Sequence, residues 1–262
     1  MCFDHDARPP IPPIAGGALE TTELTLHARD GNRFTAFAAR AAAPTGAGMI
    51  VLPDVRGLHP YYEDLALRFA EHGVDAVAID YFGRTAGLGR RGPSFDYAAH
   101  VPRTTFAGLS ADLAAAADFL RSKEGGAVRS LFTVGFCFGG RLSFLAATLD
   151  LGLAGVIGFY GWPVGPSRND TPAPVDIADR MRAPVLGIFG GADEGIPPSA
   201  VEAFEAALTR AGIEHRIVTY PGAPHSFFDR RADAYAKTSE AAWQEVLDFV
   251  RRHSGGSGSA SG

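Results

Sequence analysis

The pentapeptide Gly135-Phe136-Cys137-Phe138-Gly139 sits between an apolar run, LFTV, and an amphipathic one, GRLSFLAA. A nucleophile on so sharp a strand-to-helix turn is held in a strained backbone, and its neighbours two residues away must be small for strand and helix to approach. Glycine occupies both of those positions. Cys137 is therefore expected at a helix N-terminus, where the dipole and the unpaired N–H groups favour thiolate over thiol. The Phe138 N–H is then one donor for an oxyanion. A lone free cysteine is more often a small buried hydrophobe, but the glycine–cysteine–glycine setting argues for a nucleophile. Cys2, in a proline-rich start, has no such setting.

A thiol nucleophile needs a base to take its proton and an acid to orient that base. The strand-like segment PVLGIFGGAD ends at Asp193, with Glu194 next to it as the competing acid. The segment HRIVTYPGAPHSFF presents His225 just before Phe227 and Phe228. Of eight histidines, His225 alone falls after the last strand candidate and before the final helical pattern. The bland alternative for Asp193 is a short acid satisfying loop N–H groups, and most single histidines are structural or exposed.

These residues need a common edge to meet on. Two alternating stretches from Glu20 to Ala41 flank Asp30-Gly31-Asn32, a turn that tolerates positive φ, which predicts an antiparallel hairpin at a sheet edge. Apolar strand candidates follow at 49–54, 75–82, 130–136, 153–161, 184–193 and 215–222. Helical spacing recurs at 61–72, 106–121, 141–149, 199–211 and 235–252. Strands apolar on both faces require helices on both sides. The expected fold is thus α/β, with a mostly parallel central sheet, helices on both faces and ligands at the carboxyl ends of the strands.

Composition narrows the function. A hydrophobic fraction of 46% with 20% charged residues is that of a globular protein with a substantial core. The net charge of -5, acids and bases interspersed, offers no cationic surface for nucleic acid. No apolar run approaches the roughly 20 residues of a membrane helix, and no basic-then-apolar signal opens the chain, so no membrane partner and a cytoplasmic location are expected. Two cysteines are no disulfide framework, which leaves Cys137 a free thiol. The chain reads as an extended leader (1–19), one domain (20–253) and a Gly/Ser tail (254–262).

The elbow GFCFGG, the acid loop FGGADEGIP and the histidine loop YPGAPHSFFDR, taken together, resemble the dienelactone hydrolase family of the α/β-hydrolase fold. The order nucleophile, acid, histidine is that of this fold. The resemblance implies that a cysteine thiolate attacks a small lactone or ester, carboxymethylenebutenolidase-like, through an acyl-enzyme that water then hydrolyses. It implies Cys137, Asp193 and His225 as the triad, no metal or organic cofactor, and a monomer or homodimer acting on a small molecule. In PDVRGL the family's thiol-activating glutamate is replaced by Asp54, with the following N–H, at Val55, as second oxyanion donor. Asp54 also has a plainer reading as a cap for the helix after Pro60.

Arg84 in DYFGRTAG matches one arginine that family members use to bind a substrate carboxylate. The second matching position is Asp229, with Arg230 one residue on. Arg56 and His59 are further pocket candidates beside the acidic turn. Tyr81, Phe82, Tyr97, Phe138, Tyr160, Trp162 and Phe227 near strand ends are candidates for an apolar lining, with Tyr160 and Phe227 expected against substrate. Two other readings stay open: an esterase or thioesterase on neutral substrates, and a non-catalytic protein using Cys137 for binding or redox sensing.

Overall fold

The computed structural model describes residues 7–228 and 233–255; Cys2, Asp229 and Arg230 lie outside them. The eight strands are β1 (Ala18–His27), β2 (Arg33–Ala41), β3 (Ala47–Leu52), β4 (Val74–Ile79), β5 (Ser130–Phe136), β6 (Leu153–Phe159), β7 (Val185–Gly190) and β8 (His215–Tyr220). They form one sheet in the order β1-β2-β4-β3-β5-β6-β7-β8. The β1–β2 hairpin is antiparallel, turns at Gly31 with φ 88°, and joins β4 antiparallel; every pairing from β4 through β8 is parallel. The expected strands are all present, with ends shifted by a few residues.

Helices α1 (Pro60–Glu71), α4 (Phe106–Arg121), α5 (Phe138–Ala146), α6 (Pro198–Arg210) and α7 (Ala236–His253) connect or close the strands, with one-turn helices α2 (Gly83–Ala86) and α3 (Tyr97–His100) between β4 and α4. On β6, a Cβ at Gly155 would strike Phe249 of α7, whereas one at Gly158 would strike Phe144 of α5. Residues three apart on a strand point to opposite faces, so α5 and α7 cover opposite sides of the sheet. Phe69 of α1 lies 4.8 Å from Trp243 of α7, and Phe144 lies 4.9 Å from Phe204 of α6, which assigns α1 and α6 to those two layers. The strands between them are accordingly buried along their length: β3, β4 and β7 expose no residue.

Helix α5 starts at Phe138, three residues before the start at Arg141 that periodicity predicts. Glycine in a helix costs about 1 kcal/mol relative to alanine, so Gly139-Gly140 reads locally as a break. Packing overrides that local preference. A Cβ on Gly139 would lie 2.2 Å from the Leu52 carbonyl oxygen, and one on Gly140 would lie 2.5 Å from that of Phe159. The first turn of α5 is pressed against the ends of β3 and β6, and only glycine fits there. Among the described residues, no helix is long and apolar enough to cross a membrane.

Candidate active site

Because β3 to β8 run parallel, their carboxyl ends share one edge, and each is followed by a residue singled out above: Asp54 and Val55 after β3, Cys137 after β5, Tyr160 after β6, Asp193 after β7 and His225 after β8. Cys137 has φ 55°, ψ -112°, and its half-buried side chain is a free thiol. An L-residue with φ in this range is strained. A Cβ on Gly135 would sit 1.9 Å from the Gly139 carbonyl oxygen, so strand and helix cross at contact distance and force the turn. The Cys137 N–H donates to the Phe159 carbonyl at 3.0 Å, and its own carbonyl accepts from Arg141 N at 3.1 Å, beginning the ladder of α5. Phe138 is the first residue of that helix, where an N–H has no intrahelical acceptor.

Strain recurs around the cysteine. Tyr160 (φ 37°) and Ser226 (φ 59°) are also non-glycine residues in the left-handed region. Tyr160 donates its N–H to Ile188 of β7 at 2.7 Å, and its ring lies 4.8 Å from the imidazole of His225. Backbone strain thus gathers in the segments that follow β5, β6 and β8.

His225 Nδ1 lies 2.6 Å from Asp193 Oδ2, with the Asp193 side chain 2% exposed and the imidazole 32% exposed. The other carboxylate oxygen of Asp193 accepts from the N–H groups of Gly195 (2.9 Å) and Ile196 (3.3 Å). One carboxylate oxygen thus satisfies loop N–H groups, and the other faces the imidazole. Glu194 is exposed to solvent.

A cavity of about 460 Å³ opens at this edge, lined by Cys137, Phe138, Val55 and His225. Tyr97, Tyr160 and Trp162 supply aromatic walls, and Arg141, Pro166, Ser167 and Arg168 complete it. Among the described residues, no group of three or more His, Cys, Asp or Glu side chains is placed to hold a metal ion.

Other expected residues lie elsewhere. Asp54 is fully buried; Oδ1 accepts from Arg56 N at 2.8 Å and the Asp54 N–H donates to the Tyr62 hydroxyl at 2.8 Å. Its carboxylate shapes the turn that carries Val55, while His59 is the N-cap of α1, without a side-chain cap bond. Burial pushes the Tyr81 phenol well above its ordinary value, and the charges of Asp54, Asp80 and Cys137 add to that. The Tyr81 hydroxyl donates to the Pro53 carbonyl at 2.7 Å. His59, Tyr81, Phe82 and Phe227 are core residues, and neither they nor Arg56 line the cavity.

Arg84 does not line the cavity either. Its guanidinium donates to Asp30 Oδ2 (2.5 Å), Asp112 Oδ1 (2.7 Å) and the Gly108 carbonyl (3.0 Å), tying the hairpin turn to α4. Two acids and a carbonyl already engage its terminal nitrogens away from the cavity, and the expectation that it meets a substrate carboxylate is corrected on that ground. Arg230 falls outside the described residues.

Two cavity cations were not anticipated, Arg141 and Arg168. Arg141 was legible in principle, being one helical turn past Cys137. Burial pulls its guanidinium down to about 10, with the charge of Asp176 opposing. Arg168 lies in a loop with no periodicity to signal it.

The sequence profile of the Dienelactone hydrolase family matches residues 34–254. A protein of Escherichia coli O157:H7 named "Putative carboxymethylenebutenolidase" is 33% identical over 94% of this chain and 95% of its own. A like-named protein of Salmonella typhimurium is also 33% identical, over 95% and 96%. A crystal structure from Klebsiella pneumoniae, described as a "Putative Dienelactone Hydrolase", superposes with a TM-score of 0.78 at 32% identity, covering 88% of this chain and 98% of that one. With the profile spanning most of the chain and relatives matched nearly end to end, this chain belongs to the dienelactone hydrolase family.

Proposed function

We propose that this protein hydrolyses a small lactone or ester bearing an acidic group, through an acyl-enzyme on Cys137. The observation that carries the reading is one cavity lined by both a strained cysteine at a helix N-terminus and a histidine whose Nδ1 is held 2.6 Å from a buried carboxylate. In this reading Asp193 fixes the tautomer that leaves His225 Nε2 as the base. His225 takes the thiol proton and the thiolate attacks the carbonyl carbon. The Phe138 and Val55 N–H groups receive the oxyanion. The leaving alkoxide takes the proton back from His225; water, deprotonated by the same imidazole, then cleaves the thioester. In this reading Asp54, whose Oδ1 accepts from the Arg56 N–H, holds the turn that presents the Val55 N–H.

The test compares a dienelactone, a neutral p-nitrophenyl ester and an acyl thioester on one preparation, with Cys137→Ala beside the native protein. Native turnover that falls to background in Cys137→Ala, with an unchanged melting temperature, is expected. Unchanged turnover in that variant removes the cysteine from the mechanism.

A second reading, hydrolysis of neutral esters or thioesters, draws support from the commitment of Arg84 to Asp30 and Asp112. The same substrate panel ranks it. A redox or binding role without turnover predicts no hydrolysis of any of the three.

A further inference from the structure

We propose that Arg168 is the specificity-determining cation of this site, receiving a carboxylate on the substrate, and that Arg141 is the positioning residue that holds it there. The inference deepens the hydrolase reading above and rests on it for what happens to the substrate. The cavity lining includes Arg141, Arg168 and His225 but no Asp or Glu. Such a lining favours an anion.

Arg141 is 4% exposed, and its terminal nitrogens donate only to main-chain carbonyls: Trp162 (3.1 Å), Val164 (3.4 Å), Gly165 (2.9 Å), Thr171 (3.2 Å) and Pro172 (2.9 Å). Carbonyl dipoles solvate a guanidinium without neutralising it, so a positive charge persists behind the wall. The same five bonds tie both ends of segment 162–172 to α5, the helix that begins after Cys137. Between those ends, Asn169 Nδ2 donates to Thr104 Oγ1 at 3.0 Å, and Asp170 Oδ1 accepts from Phe106 N at 2.6 Å.

Arg168 therefore stands on a stretch of backbone fixed on both sides. It is itself exposed, and among the described residues it makes no ion pair or hydrogen bond. Its planar fork suits a carboxylate bidentately, and holding the backbone still lowers the entropy lost when the pair forms. Arg84, by contrast, meets two acids. The ligand class is an ester or lactone that carries a free carboxylate besides the reacting carbonyl.

The experiment uses the mono-p-nitrophenyl ester of glutaric acid and its methyl-capped counterpart, which share the reacting group and differ in charge. Arg168→Ala is expected to raise KM for the acid on the order of 10- to 100-fold, far more than for the neutral ester and far more than it changes kcat, and Arg168→Lys to restore part of the loss. Arg141→Met is expected to raise the same KM, and the double variant to be no worse than Arg168→Ala, because the two act through one contact. A readout without turnover is titration of Trp162 fluorescence with glutarate, expected to be saturable in the native protein and lost in Arg168→Ala. Hydrolysis of both esters with equal KM changes in Arg168→Ala, and no Arg168-dependent titration, overturns the proposal while sparing the hydrolase reading. Arg168-dependent titration without hydrolysis of either ester does the reverse.

Discussion

Replacing Asp193 by Asn separates the two tasks of that carboxylate. Oδ1 holds the N–H groups of Gly195 and Ile196, and Oδ2 faces His225 Nδ1 at 2.6 Å. An asparagine can keep its carbonyl oxygen on the two amides, so the loop survives, but its NH2 then faces Nδ1. Nδ1 must become an acceptor, the ring proton moves to Nε2, and the base can no longer accept from the thiol. The lost charge-assisted bond amounts to roughly 1.5–3 kcal/mol, or a factor of about 10 to 150, and the wrong tautomer adds to it. In serine triads the same change costs about 10⁴ in kcat. A thiol ionises far more readily than a hydroxyl, so a fall on the order of 10²- to 10³-fold in kcat/KM is expected near pH 7. The deficit should shrink as pH rises through the usual thiol range near 8.5, where thiolate forms without the base. The assay is kcat/KM against pH on a p-nitrophenyl ester, with melting temperature measured in parallel. Asp193→Ala, which also abandons Gly195 and Ile196, should lose stability as well. Full activity for Asp193→Asn at pH 7, or a deficit that does not change with pH, would refute the reasoning.

Gly139→Ala places a Cβ 2.2 Å and 2.3 Å from the Leu52 and Pro53 carbonyl oxygens, so α5 must retreat from β3. A loss of about 1–3 kcal/mol by denaturant unfolding is expected, together with a fall in turnover; a native-like melt contradicts the close packing. Asp112, which accepts from Arg84 and Asn32, has its carboxyl raised from 3.8 to about 6, because burial outweighs those bonds. A raised folded pKa means stability that is fully present below 3.8 and lost as pH climbs through about 6. Asp112→Asn removes that titration, so its stability should vary less between pH 4 and pH 8, by roughly 1–3 kcal/mol, in chemical denaturation; parallel pH profiles for the two proteins would show that Asp112 is not responsible.

Much of this architecture is legible because its signals are local. Strand β5 can be read to the residue, since SLFTVGF is mostly apolar and ends in a glycine-flanked turn. Asp30-Gly31 announces the hairpin. The start of α5 is hidden, because helix propensity weighs Gly139 and Gly140 as isolated residues, whereas their fit depends on carbonyls at Leu52 and Phe159, far away in the chain. One-turn helices α2 and α3 are too short for a periodic pattern.

The amino-acid sequence by itself determined the alternation of elements, and hence that Cys137, Asp193 and His225 each follow a strand. Parallel strands with right-handed crossovers have little freedom in where they put their carboxyl ends. Which cations reach the cavity was decided only in three dimensions. Arg84 matches a motif, yet the hairpin and α4 bring Asp30 and Asp112 to it first. Arg168 matches none, yet Arg141 and the neighbouring tethers fix the segment that bears it. A long side chain meets whatever partner the packed backbone brings within reach, and that distance is not encoded in spacing along the chain.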